Sequence, residues 1–292
     1  MIVESDLYRA YSNYYTHPDQ PAHASKAGGW RAMYDRLIKH NYWALRYGYG
    51  GPNRSIWSKL PGALVFLMPN KSFYLDTHVM FLRAVREGRV LDVGCGSGER
   101  LELLKQLGWT VKGVDLDAKA VAVAQKKGLD AECGDLKTMA LPAESFDAVI
   151  LSHVIEHVPQ PCDLLTECAR VLKPGGRLVM LTPNAESFGL DYYGRCWRGL
   201  EPPRHLQIFS QSSLEQIVKK AGLKMVKGKS LLGPQVLYAS QVIKNGISIS
   251  NNGDTRLRPT SALWVKWLTL VESLVLRVKP NRGEILAVIA TK

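Results

Sequence analysis

Arg89-Val90-Leu91-Asp92-Val93-Gly94-Cys95-Gly96-Ser97-Gly98-Glu99 is the stretch that decides the fold. An apolar run ends in an acidic residue, passes through glycines at alternate positions 94, 96 and 98, and then turns helical in pattern. Glycine is needed there because the backbone must reverse sharply and lie close to a ligand, while the free N–H groups of the next helix start can bind an anion. A dinucleotide-binding turn would read Gly-x-Gly-x-x-Gly. Here the third glycine comes one residue early, with Glu99 behind it, so that reading fails. A phosphate-cradling loop closing on Gly-Lys-Ser or Gly-Lys-Thr is absent as well.

Outward from this turn, short apolar runs alternate with helical stretches, the pattern of a parallel sheet wrapped by helices. Strands are predicted at 89–93, 110–115, 131–133, 146–151, 176–182, 223–229 and 284–291, and helices at 98–107, 118–127, 161–171 and 212–221. Lys173-Pro174-Gly175-Gly176 closes the third of these helices, since proline cannot continue it and glycine supplies the turn. The expected fold class is α/β, a seven-stranded, mostly parallel, doubly wound, Rossmann-like sheet over residues 89–292. Residues 1–88, rich in Tyr, Trp and His, are expected as a helical N-terminal lid and acceptor-binding region with helices at 29–47 and 74–86. The aromatic segment 188–209 is expected as a second lid insertion, after the fifth strand. From 233 to 260 periodicity fades, and the Asn-rich part suggests a loop or short hairpin. A C-terminal helix at 261–278 is largely apolar apart from Lys266, Thr269, Ser273 and Arg277. Its apolar face suits core, dimer or cross-domain packing, with a membrane-surface helix as the alternative.

The 292 residues carry a net charge of +12, distributed unevenly. Residues 1–88 hold 11 basic and 6 acidic side chains, 89–205 hold 14 and 16, and 206–292 hold 13 and 4. No long basic run occurs, so solvated helix faces are the plain explanation; nucleic acid, anionic lipid and acidic substrates are the alternatives. Five cysteines, an odd number without a Cys-x-x-Cys pair, argue against a disulfide framework and a structural zinc site. The opening residues lack the charged start and apolar run of a signal peptide, and no apolar stretch is long enough to span a bilayer. A cytoplasmic protein is expected.

The turn formed by Asp92, Gly94, Cys95, Gly96 and Gly98 resembles the Gly-rich first motif of class I S-adenosylmethionine-dependent methyltransferases. Later landmarks of that family follow in order across 89–229. Val114-Asp115-Leu116-Asp117 ends the second strand, where the carboxylate of Asp115 can accept hydrogen bonds from both ribose hydroxyls and Asp117 can cap the next helix. Glu132-Cys133-Gly134-Asp135-Leu136 stands where the family places an Asp near the adenine amino group, and Ser152 closes the fourth strand. The resemblance implies that S-adenosylmethionine is the cofactor, leaving as S-adenosylhomocysteine.

A hydroxyl acceptor would need a general base. His205 is the first candidate, because Glu201-Pro202-Pro203-Arg204-His205 resembles the Pro-x-His segment of many small-molecule and glycan methyltransferases; His153 and His157 follow. Tyr192, Tyr193, Trp197 and Arg204 in the insertion are expected to face the acceptor. So are Tyr14, Tyr15 and His17, which resemble the opening of bacterial surface-glycan methyltransferases. A helical turn would put His153, Glu156 and His157 on one face, at a spacing that can hold a divalent metal. The ubiquinone-pathway O-methyltransferases, a more distant resemblance, carry an acid where this chain has His153, and no metal is expected. The implied activity is O-methylation of a small-molecule or glycan-type acceptor, with a homodimer and peripheral membrane contact as further partners to consider. An RNA methyltransferase is the alternative, weakened by Ser152-His153-Val154-Ile155 in place of an Asn/Asp-Pro-Pro-Tyr/Phe motif. A non-catalytic protein retaining the cofactor fold is the other.

Overall fold

The computed structural model describes residues 30–50, 62–247 and 259–292. Tyr14, Tyr15 and His17, and the Asn-rich stretch 248–258, lie outside them. The described residues fall into two compact units, divided after Ile150.

In the first unit the chain runs through helix α1 (Trp30–Tyr47), a short 3-10 turn at Leu64–Leu67, and helix α2 (Pro69–His78). It continues through β1 (Arg89–Val93), α3 (Glu99–Gln106), β2 (Thr110–Asp115), α4 (Ala118–Lys126) and β3 (Ala131–Cys133). β2 pairs in parallel with both β1 and β3. The helix expected at 74–86 lies at Pro69–His78, and the chain leaves it through Met80 and Phe81, both at positive φ, a conformation that helix cannot contain. Buried polar tips fasten α1: Tyr42 Oη donates to Asp76 at 2.7 Å, and Trp43 Nε1 donates to the Leu75 carbonyl at 2.9 Å. Arg46 pairs with the same Asp76 at 3.0 Å. These bonds satisfy groups that would otherwise be costly to bury.

β4 (Phe146–Ser152) leads into the second unit, followed by α5 (Pro161–Val171), β5 (Leu172–Pro183), α6 (Phe188–Tyr193), α7 (Gln211–Lys220) and β6 (Lys224–Leu231). Then come α8 (Pro234–Lys244), α9 (Pro259–Val278) and β7 (Ile285–Thr291). The seven-stranded sheet has the order β3-β2-β1-β4-β5-β7-β6, and β7 is antiparallel to both neighbours. α5 buries Leu165, Cys168 and Val171, one helical face, and α7 buries Leu214 and Val218 from behind a Ser210–Ser213 capping box. α8 is a helix that the fading periodicity after residue 233 did not announce. It buries Leu237, Ser240, Gln241 and Val242, and the two polar residues in that set erase the apolar period. β5 also starts earlier than expected, absorbing Lys173–Gly176 because Gly175 and Gly176 bond to Lys292 beyond the last strand.

Candidate active site

In the first unit the glycine turn hangs from β2. The N–H groups of Gly94 and Cys95 donate to the Val114 carbonyl at 2.7 and 3.2 Å, and Gly96 N–H donates to Asp115 Oδ2 at 2.8 Å. Gly94, Gly96 and Gly98 have φ of 76°, 52° and 79°, where an L side chain is strained. A Cβ at Gly98 would also strike Leu129 and Ala124. Asp115 Oδ1 accepts from Asp117 N–H at 2.9 Å, so the carboxylate braces the loop with both oxygens and retains lone pairs for ligand hydroxyls. Asp117 caps α4 as expected, accepting from the N–H groups of Lys119 and Ala120. Leu116 and Asp135 are exposed beyond the strand ends, whereas Leu136 is buried in the core and offers a ligand only its backbone.

Asp92 is fully buried and neither carboxylate oxygen has a hydrogen-bond donor; the Arg100 guanidinium lies 3.7 Å from Oδ2. Burial pushes its carboxyl up to about 6, with Asp115 adding to the rise and Arg100 opposing it. A buried acceptor without a donor is costly and suits a cationic, donor-bearing ligand. Beside it, the space where a Gly96 side chain would stand meets no protein atom within 4 Å. These features fit a ligand with an ammonium group and hydroxyls, both of which S-adenosylmethionine carries. Sequence reasoning missed Arg100, and also Gly113, where a Cβ would collide with Leu101 and Cys95 beneath the turn.

In the second unit a polar lattice follows β4. His153 has a φ of 56°, and only Ile155–His157 form a 3-10 turn, so the expected helical face does not form. His153 Nδ1 still meets Glu156 Oε1 at 3.1 Å, and Thr182 Oγ1 donates to Glu156 Oε2 at 3.0 Å. Burial alone would raise the Glu156 carboxyl, but the His153 hydrogen bond and the charges of His153 and His157 outweigh it and hold it below the ordinary value. The residue that joins Glu156 and His157 is His205 rather than His153. One ligand atom from each of these three lies within 4.8 Å of the others, so among the described residues this trio could hold a divalent cation.

The two histidines are held alike. His157 Nδ1 meets the Arg204 carbonyl at 3.1 Å and His205 Nδ1 meets the Gly199 carbonyl at 2.6 Å. A carbonyl can only accept, so each Nδ1 carries the proton and each Nε2 keeps its lone pair. The rings stand edge to face, 4.7 Å apart. Burial lowers the His157 pKa, and the neighbouring His205 lowers it further against the pull of Glu156. Glu201 Oε2 lies 3.6 Å from His205 Nε2 and pairs with Arg198 at 2.6 Å, while Oε1 pairs with Arg204. Glu201 was not among the expected site residues, although Arg198, Glu201, Arg204 and His205 recur at steps of three and four.

The insertion 188–209 is braced against α8, α9 and Glu284. Trp197 and Tyr193 lie in a cluster with Leu237, Val242, Val265 and Leu268, while Tyr192 is partly exposed and Ser152 partly buried. Trp197 Nε1 donates to Glu284 Oε2 at 2.6 Å, Gly189 N–H donates to Glu284 Oε1 at 2.5 Å, and Tyr193 Oη bonds Gln241 at 3.2 Å. Glu272, also buried, accepts from Gly233 N–H at 3.3 Å. Burial, then mutual repulsion, lifts Glu272 to about 8, and burial lifts Glu284 to about 7 against its donors and the Arg282 charge. Carboxyls held above their unfolded value of 4.5 favour the folded state at low pH, and that advantage is lost as pH rises toward 8. Glu272→Gln is therefore expected to match the parent near pH 5 and to exceed its stability by about 2–4 kcal/mol near pH 8.5. Urea midpoints at the two pH values test this, and a gain independent of pH would refute it.

A methyltransferase domain family matches residues 69–227. The ubiquinone biosynthesis O-methyltransferase of Burkholderia pseudomallei is 32% identical over 178 residues, covering 56% of this chain and 75% of that protein. Its namesake from Cereibacter sphaeroides is 32% identical over 174 residues, covering 56% and 70%. A solved S-adenosylmethionine-dependent methyltransferase from Mesorhizobium loti shares the fold at 19% identity and a TM-score of 0.51, covering 75% of this chain and 97% of that one. With its glycine turn, its strand order and a family match over more than half its length, this chain belongs to the class I S-adenosylmethionine-dependent methyltransferases.

Proposed function

We propose that the protein is an O-methyltransferase of a small-molecule or glycan-type acceptor, with His205 as the general base. The observation that carries this reading is the His205 ring, fixed by Nδ1–H on the Gly199 carbonyl so that Nε2 keeps a lone pair beside the Glu201 carboxylate. The names of the two relatives, both O-methyltransferases, support the choice of oxygen.

S-adenosylmethionine, when bound, supplies an electrophilic methyl group on a sulfonium. Asp115 would take its ribose hydroxyls, Asp135 its adenine edge, and Asp92 with the Gly94–Gly98 backbone its amino-acid end. His205 Nε2 accepts the proton of the acceptor hydroxyl as that oxygen becomes nucleophilic, and the resulting imidazolium is shared between the Gly199 carbonyl and Glu201. Arg198 and Arg204 hold Glu201 for that task. His157 is the reserve base, and Tyr192 and Arg204 are the lid residues assigned to acceptor contact.

Transfer of labelled methyl groups to phenolic, sugar and amine acceptors tests the assignment; label appearing only on amines would overturn it. Asp115→Ala is expected to weaken S-adenosylmethionine binding by about 1–3 kcal/mol, since a hydrogen-bonding charge is removed and Gly96 loses its anchor. Titration calorimetry on the folded variant measures the loss, and unchanged affinity would remove Asp115 from the site.

A further inference from the structure

On α9, Leu263, Trp267, Leu270, Leu274 and Val278 form one stripe at steps of three and four, and each is between 51% and 81% exposed. The opposite face, with Val265, Leu268 and Glu272, is buried, so the helix already has its core contact without this stripe. The stripe runs roughly 22 Å along the helix. Trp264 stacks on Trp267 with ring centres 4.7 Å apart and donates its indole N–H to Tyr192 Oη, and Lys244 Nζ stands 4.9 Å from the Tyr192 ring centre. Lys266, Arg277 and Lys279 are exposed along the helix and just past its end, and the helix's single acidic residue, Glu272, is buried.

This charge pattern selects the occupant. A second copy laid antiparallel would bring Lys266 within a turn of the other copy's Arg277, and a parallel copy would set Lys266 against Lys266. Neither arrangement offers an exposed carboxylate on the helix, and juxtaposed like charges are penalised. An anionic lipid surface meets both demands at once, apolar side chains entering the acyl boundary and basic ones meeting the headgroups, with tryptophans at the level between. No helix among the described residues is long and apolar enough to cross a membrane, so the contact is one of lying on the surface. We propose that α9 docks the protein on anionic phospholipid bilayers through the Leu263–Trp267–Leu270–Leu274–Val278 stripe, flanked by Lys266, Arg277 and Lys279.

Flotation of the full chain with phosphatidylcholine vesicles carrying about one quarter phosphatidylglycerol tests this, with pure phosphatidylcholine alongside. Binding is expected only to the anionic vesicles, falling at least about tenfold between about 0.05 and 0.5 M salt. Trp267→Ser with Leu270→Ser and Leu274→Ser, positions exposed enough to leave the fold intact, should cut binding at least about tenfold with S-adenosylmethionine affinity unchanged. Lys266→Glu with Arg277→Glu should do likewise. Equal binding by these variants, or none by the parent at low salt, would overturn the proposal. So would sedimentation showing a parent dimer in vesicle-free buffer that the serine variant turns into a monomer, which would assign the stripe to a second copy.

Discussion

His205→Ala is expected to lower turnover by about 10²–10⁴ while leaving S-adenosylmethionine affinity within about twofold of the parent. The reasoning starts from the ring's two nitrogens. Nδ1–H is committed to the Gly199 carbonyl at 2.6 Å, which fixes the tautomer and aims Nε2 away from the backbone. Glu201, held by Arg198 and Arg204, adds a negative charge 3.6 Å from Nε2, worth most when the ring has just gained a proton. Alanine removes the proton acceptor and leaves these supports in place. The variant should regain much of its rate on acceptors whose hydroxyl is already acidic, because those need no base. A loss below about tenfold on ordinary hydroxyls would make His205 a brace for residues 199–205 and move the base assignment to His157.

Trp197→Ala is expected to cost about 3–5 kcal/mol of stability, the range for emptying a large aromatic site that cannot collapse. Trp197 is 1% exposed, and its indole N–H is one of the donors holding the buried Glu284 carboxylate. Trp197→Phe separates the two contributions: it retains most of the volume and loses the donor, for a cost of about 1–3 kcal/mol. That second cost should be larger at pH 8 than at pH 6, because Glu284, already pushed up to about 7, needs its donors most when ionised. Chemical denaturation at both pH values reads the difference. A pH-independent loss in the phenylalanine variant would mean that the indole N–H does not stabilise the carboxylate.

The cofactor half was legible because its signals are local. Asp92, the three glycines, Asp115 and Asp117 act within a few residues of their own strands, and each sits where strand and turn chemistry require. The proposed acceptor side depends on contacts far apart in sequence. Glu156 and His157 meet His205 across nearly fifty residues, and the positive φ of His153 broke the helical spacing that had grouped the wrong histidine with them. α8 escaped notice because Ser240 and Gln241 are buried for their partners, the Arg198 N–H and the Tyr193 hydroxyl, so polarity marks its inner face. Trp197 and Tyr193 were expected to face the acceptor on account of their size. Their burial in a cluster with α8 and α9 follows from hydrogen-bond acceptors, Glu284 and Gln241, that no spacing rule identifies.

The antiparallel β7 has a consequence for how the chain is made. β6 leaves the ribosome more than fifty residues ahead of β7, yet among the described residues β7 is its only neighbour in the sheet and stands between it and β5. Until residues 285–291 emerge, β6 waits as an unpaired strand and β5 shows an open edge, the kind of surface that invites foreign pairing. β1, β2 and β3 are synthesised in a row and find their partners at once. The β1–β3 segment therefore pairs early, while β5 and β6 wait for residues 285–291, and that interval is the one in which a chaperone would matter most.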